Sequence, residues 1–484
     1  MLERLFNPDG IAVVGASANP SKAGFVAIRN MREKNYPGKV FPVNPKETSI
    51  LDYPCTASLR DIKEHVDMVV LIMPSRLIYE VMDDLDARME EKGDVRFLVC
   101  AAADYAETKT PEGIRRQERL METAGRFGIR VVGPNCIGVI DNRSLVDTTF
   151  VDTGVPFSSF GKPTGITFIS QSGALATSVL MEGAARVVPV LYNKFISIGN
   201  MADLDFADLL EWLADDETTT VIGIYMEGYE DGRRLAEIFR KITRKKPVVV
   251  LKVGRSSLGS AAANSHTGSM AGSDRVYDAM FKQTGAVRVE TIDELIDTLQ
   301  AFDRLPVPRG SNTFLYTQAG GPGIYCTDAI SSHKNLRMPV VSDETKERLA
   351  ASQLPMANIC HPEGYADITA SASPQNHADG LKIVLEDPAV DLVVFLTVVP
   401  TFLPQKELAE ALVAVEQSVP KERKKPVFYC VMAGAYTAPA RKILENNGLC
   451  TFNTPEKAVL AARNMCIYAE YLSRQEEPHG KSAQ

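Results

Sequence analysis

The sequence predicts an α/β protein built from doubly wound parallel sheets in three consecutive blocks. Three observations lead there. Short apolar runs rich in Val and Ile recur along the chain, as at 11–15, 68–73 and 247–253. Longer stretches with helical spacing, such as 77–92 and 113–127, lie between them. Each block also repeats one habit, a strand followed by a Gly-rich turn and then a helix. A strand that is apolar along its whole length needs both faces covered, which a parallel sheet flanked by helices provides.

The first block covers 1–145, with strands expected at 11–15, 39–43, 68–73, 97–101 and 130–132. A Gly-, Pro- and Ser-rich stretch at 154–164 reads as a linker. The second block covers 160–305, with strands at 165–170, 194–198, 221–226 and 247–253. The segment Leu305-Pro-Val-Pro-Arg-Gly310 is the clearest boundary. The third block covers 311–472, with strands at 313–317, 392–399 and 427–432. The polar residues 473–484 are expected to fray.

The 484 residues are 45% hydrophobic and 24% charged, as a packed protein requires. A net charge of −8 argues against a nucleic-acid surface, which needs a basic face. Small anions remain possible ligands, because backbone N–H groups at helix N-termini bind them without net positive charge. No stretch approaches the ~20 apolar residues that span a bilayer, and the N-terminus lacks a signal-peptide pattern. The eight cysteines are scattered with no CxxC pair. They read as buried free thiols in a reducing compartment, the cytoplasm, and no metal site is expected.

Six motifs carry the chemistry. Gly15-Ala-Ser-Ala-Asn-Pro-Ser-Lys-Ala-Gly24 leaves the first strand and enters a helix, where small residues let the backbone approach a diphosphate. It is not GxGxxG, and no acidic residue ends the second strand to take a ribose. That strand ends instead in Val43-Asn-Pro-Lys46, which puts a cation near the site and suits the 3′-phosphate of CoA better than a ribose diol. Gly133-Pro-Asn-Cys-Ile-Gly138 places the amide of Asn135 at the carboxyl edge of the first sheet. Ser170-Gln171-Ser172-Gly173 joins a strand to a helix and offers a phosphate site, or simply a serine N-cap. Glu227 ends an apolar strand at the corresponding edge. A long Gly/Ser/Ala loop, 254–274, surrounds His266 with small neighbours, leaving an imidazole accessible to take a phosphoryl group. The Glu227 carboxylate there could accept from Nδ1–H of that imidazole and fix its tautomer. Gly320-Gly321-Pro322-Gly323 gives a second set of helix N-terminal N–H groups. Taken singly, each glycine motif also fits a structural turn.

In this order the motifs GxSxxPxKxG, GPNCIG, SQSGAL, the strand-end Glu, SHTGxMAGSD and AGGPG resemble the α subunit of ADP-forming (NDP-forming) acetyl-CoA or acyl-CoA synthetase, of the succinyl-CoA synthetase superfamily. The resemblance runs over about residues 8–470. It implies an N-terminal Rossmann-like CoA-binding domain followed by two flavodoxin-like domains. It implies that Gly15, Ser17, Pro20, Lys22, Lys46 and Asn135 line the CoA site. His266 would carry the phosphoryl group and Glu227 would be its carboxylate partner. The turns at Ser170, Gln171, Ser172 and Gly173 and at Gly320, Gly321 and Gly323 would face each other across the phosphate. The implied reaction interconverts acyl-CoA, ADP and phosphate with carboxylic acid, CoA and ATP.

ATP or ADP with Mg²⁺ needs an ATP-grasp site, and the three blocks leave no room for one. A separate β subunit is therefore implied, in a heterotetramer of two α and two β chains. The stretch 359–367 departs from the Asn-Pro-x-Asp expected there, and so leaves the acid open. Two other readings stay open: an NAD(P)-linked oxidoreductase, and a non-catalytic CoA-binding regulatory module.

Overall fold

A computed structural model describes residues 2–267 and 273–476, with the side chains of 263–267 and 476 outside the described set. The chain divides into two compact units, Met1–Val289 and Glu290–Gln484. Three large sheets carry the architecture, two in the first unit and one in the second.

The first sheet has five strands in the order Lys39–Val43, Gly10–Val14, Met68–Leu71, Phe97–Cys100, Arg130–Val132. All neighbours are parallel. Four of the five are buried or nearly so along their length, which is why they read as continuous apolar runs. Helices Ile78–Glu91 and Pro111–Phe127 lie where helical spacing was expected. The second of them opens with Thr110 accepting from Gly113 N–H and closes on Gly128 at φ 68°, so its ends are fixed by local chemistry.

The second sheet has seven strands: Val287–Val289, Val248–Lys252, Val221–Met226, Ile166–Ser170, Lys194–Ser197, Val139–Asp141, Val146–Asp147. The first five are parallel and the last two antiparallel. Residues 139–147 thus lie in the second sheet, although the first block was expected to run to 145. Val139–Asp141 reverses direction and pairs with Lys194–Ser197, a choice made by a partner over fifty residues away. Likewise 290–305 fall in the second unit, because helix Ile292–Arg304 packs on helix Pro455–Glu476.

The third sheet, in the second unit, runs Asn358–Ile359, Tyr365–Asp367, Thr313–Thr317, Leu392–Thr397, Val427–Val431, Thr451–Phe452. Only its first strand is antiparallel. The α/β, doubly wound reading therefore stands for all three sheets. In the parallel part of each, the chain starts at an inner strand, goes to one side, then crosses to the other. That reversal opens a crevice beyond the carboxyl ends of the two central strands.

Among the described residues no helix is long and apolar enough to cross a membrane. All eight cysteines are free; seven are buried, and Cys55 is only half-buried.

Candidate functional site

At the reversal of the first sheet, the strand Gly10–Val14 passes into Gly15, which sits at φ +91°. A Cβ there would lie 2.7 Å from Met73 N, so the turn fits only glycine. Asn44 ties this turn to the end of the neighbouring strand. Its Nδ2 donates to Ala16 O at 2.7 Å, and its Oδ1 accepts from Lys46 N–H at 2.9 Å. Ser17 Oγ accepts from Asn19 N–H at 3.1 Å and shapes the loop that follows.

These residues open onto a cavity of about 980 Å³. Gly15, Ser17, Lys22 and Lys46 border it, together with apolar Met73 and Leu77. Arg60, on its rim, is paired with Asp84 at 2.5 Å. Cations, glycine backbone and apolar surface in one cavity suit a nucleotide carrying phosphates. Pro20 and Asn135 were expected here and do not line the cavity. Pro20 is exposed. Asn135, at φ 58°, donates from Nδ2 to Asn200 Oδ1 at 3.4 Å. Asn200 in turn donates to Glu107 Oε2 at 2.6 Å, and both border a second cavity of about 460 Å³.

At the reversal of the second sheet, Ser170–Gly173 and Glu227 come together. Ile166–Ser170 and Val221–Met226 are parallel neighbours, so the residues just beyond them share one edge. Gln171 Oε1 accepts from the N–H groups of Glu227 (2.8 Å) and Gly228 (3.2 Å). Ser170 Oγ donates to Ser172 O at 2.8 Å. Ser172 caps helix Gly173–Ala184, its Oγ accepting from Leu175 N–H at 3.4 Å. The first-turn N–H groups of this helix give the edge its positive end. Glu227 is 5% exposed and accepts from the Tyr225 hydroxyl at 3.4 Å.

The next strand, Val248–Lys252, leads toward His266. The loop expected there is helical over Ser257–Thr267. The run Ala261-Ala262-Ala263 has the highest helix propensity, and Ser256 Oγ accepts from Gly259 N–H at 3.0 Å in the opening turn. His266 belongs to this helix, and its side chain lies outside the described residues.

In the second unit, Gly320, Gly321 and Gly323 form the first turn of helix Gly320–Ser331, directly after Thr313–Thr317. Asp367 pairs in register with Thr317 and reaches this turn: a Cβ on Gly320 would lie 2.9 Å from its Oδ2. The 359–367 departure thus ends beside the glycine turn. Among the described residues no group of His, Cys, Asp and Glu could hold a metal.

Sequence reasoning missed Asn44, Asn200 and Lys252. Lys252 had a visible signal, a lone cation at the end of the apolar run Val248-Val-Val-Leu-Lys252. It is 1% exposed, and burial pulls its ammonium down to about 8.

The geometry has matching relatives. Residues 9–142 match the CoA binding domain family, and residues 163–302 match the succinyl-CoA ligase like flavodoxin domain family. The chain is 38% identical to acetate–CoA ligase [ADP-forming] II subunit alpha of Pyrococcus furiosus, covering 96% of each chain. It is 34% identical to acetate–CoA ligase [ADP-forming] I subunit alpha of the same organism, covering 98% of this chain and 99% of that one. A solved structure of dinucleotide forming acetyl-coenzyme A synthetase 1 of Candidatus Korarchaeum cryptofilum, in complex with phosphate and ADP, superposes with a TM-score of 0.87. That structure is 30% identical and covers 98% of this chain and 99% of its own. These relatives do not favour the oxidoreductase or the non-catalytic alternatives.

Proposed function

Because this chain belongs to the family of ADP-forming acetate–CoA ligase α subunits, we propose that it binds CoA and carries the phosphoryl group between an acyl phosphate and ADP. The observation that carries this reading is the pairing of Gln171 with Glu227 across the second reversal, beside a capped helix N-terminus. It joins an anion site and a buried carboxylate on the edge toward which the His266 segment leads.

CoA would take the 980 Å³ cavity, with its phosphates on the Gly15 turn, Ser17, Lys22 and Lys46. Asn135 would act through Asn200, toward the second cavity. Phosphate would be held by the helix N-terminus at Ser170–Gly173; in the second unit, the glycine turn of Gly320, Gly321 and Gly323 would offer anion-binding N–H groups of its own. It attacks the acyl-CoA thioester; the C–S bond breaks and CoA leaves as thiolate. The His266 imidazole then takes the phosphoryl group from the acyl phosphate, releasing the carboxylate. Glu227 holds the other ring nitrogen and stabilises the positive charge of the phosphorylated ring. ADP finally accepts the group as ATP. That last site, with Mg²⁺, is assigned to an ATP-grasp β subunit, in an assembly of two α and two β chains in the cytoplasm. The acid would be a small carboxylate, with acetate the first candidate.

The test uses the protein purified with whatever chain accompanies it. Acetyl-CoA and labelled phosphate should give an acid-labile, base-stable label that ADP removes and His266→Ala abolishes. A label that survives His266→Ala would overturn the assignment.

A further inference from the structure

Two buried polar residues take no part in that relay. Lys252 and Tyr277 are 1% and 6% exposed. The ladder between Val221–Met226 and Val248–Lys252 ends with Val253 N–H donating to Met226 O at 3.0 Å. One step further on, the Lys252 ammonium bridges two carbonyls, Glu227 O at 2.8 Å and Val253 O at 2.5 Å. The same ammonium lies 4.5 Å from the centroid of the Tyr277 ring.

Tyr277 sits in the first turn of helix Asp274–Thr284. Its hydroxyl accepts from Tyr229 N–H at 2.9 Å and donates back to Tyr229 O at 3.3 Å. Gln171 holds the N–H groups of Glu227 and Gly228 from the other side. Residues 227–229 are therefore gripped by three buried side chains from three different elements.

The placement of the grips is the informative part. Lys252 and Val253 are the last residues before the segment that contains His266. Tyr277 comes just after it. Both ends of that segment are fastened to the backbone of residues 227–229, next to the carboxylate. An apolar side chain would fill the Lys252 site without the cost of burying a charge. The lysine offers what Leu or Met cannot, donors for two carbonyls on adjacent strand ends.

We propose that Lys252 and Tyr277 are positioning residues for the phosphoryl relay: they tie both chain ends bordering the His266 segment to residues 227–229, so that the imidazole meets the Glu227 carboxylate in one geometry. This rests on the roles given above to His266 and Glu227.

Lys252→Met, Tyr277→Phe and the double variant test it, in the full chain with its accompanying partner. Methionine keeps the volume and the buried stem. Phenylalanine keeps the ring under the ammonium and removes only the hydroxyl. Three quantities are measured: the single-turnover rate of labelling from acetyl-CoA and labelled phosphate, the Kd for CoA, and the melting temperature. A misplacement of ~1 Å costs on the order of 10²-fold in rate. Lys252→Met should label about 10²-fold slower and Tyr277→Phe more mildly. CoA affinity should stay within about twofold and melting nearly unchanged. The double variant should fall short of the product of the two effects, since both ties hold one segment.

Wild-type labelling rates in both single variants would overturn the proposal. So would a parallel fall in rate, CoA affinity and melting temperature, which marks a general packing role. If the wild-type protein gives no label that His266→Ala removes, the relay itself fails and the proposal falls with it.

Discussion

Replacing Gly15 with alanine isolates the phosphate turn from everything else in the first sheet. Two costs can be worked from the structure. At φ +91° an L-residue pays about 1–2 kcal/mol for its left-handed backbone. Its Cβ would also stand 2.7 Å from Met73 N and 2.8 Å from the carbonyl carbon of Ile72. That is roughly 0.8 Å short of the ~3.5 Å at which such atoms rest. The turn cannot retreat toward the following helix, because Gly15 O already lies 2.2 Å from where a Cβ on Gly24 would be. It can only shift outward, into the 980 Å³ cavity. A shift of that size breaks one hydrogen bond to a bound phosphate, worth ~1.5–3 kcal/mol when charge-assisted. Gly15→Ala should thus weaken CoA binding by about 10- to 10²-fold, read by titration calorimetry, with a lower melting temperature. Gly125→Ala is the control. It lies inside helix Pro111–Phe127 with nothing within 4 Å of a new Cβ, and should be neutral or slightly stabilising. Unchanged CoA affinity and melting in Gly15→Ala would refute the reasoning.

Other consequences are equally direct. Glu227→Gln keeps the shape of a 5%-exposed side chain and removes its charge, so the labelling rate should drop by about 10²-fold or more while CoA affinity holds; equal rates would remove Glu227 from the site. Ser172→Ala deletes the hydroxyl that caps helix Gly173–Ala184, costing about 0.5–1 kcal/mol of stability in denaturant titration. The same variant should raise the KM for phosphate several-fold, and a KM that does not move would leave Ser172 only its capping role. Asp216 is raised by burial but more strongly lowered by hydrogen bonds from Thr219, Lys194 and Thr218, and is held at about 2. A carboxylate depressed in the folded state stabilises above its unfolded value near 3.8 and loses that contribution as pH falls toward 2. Asp216→Asn should therefore unfold more easily than wild type at pH 7, and the gap should close below about pH 2; a gap that does not depend on pH would show that the ion pair with Lys194 is irrelevant.

Much of the site was legible because its parts are local. A strand buried on both faces appears as an apolar run, and the turn after it needs glycine or a capping serine within four residues. Gly15, Ser170–Gly173 and Gly320–Gly323 therefore announced themselves. Glu227 did too, as a charge stopping the run Val221–Met226. The His266 helix was misread as loop because glycine and serine at 254–260 outweighed the alanines that follow. The spacing of the motifs in chain order, more than any single one, pointed to the family.

What the sequence by itself determined was the alternation of strand, turn and helix, and which turn carries which functional group. Tertiary structure alone decided which of those turns meet. Gln171 reaches Glu227, fifty-six residues away, only because their strands are neighbours across a reversal. The reversed strand Val139–Asp141, the two-residue strand Thr451–Phe452, and the grip of Lys252 and Tyr277 on residues 227–229 follow the same logic. None has a periodicity or a neighbour in sequence to betray it. Each exists because a partner brought close by sheet order satisfies its hydrogen bonds, and that pairing is a property of the folded chain.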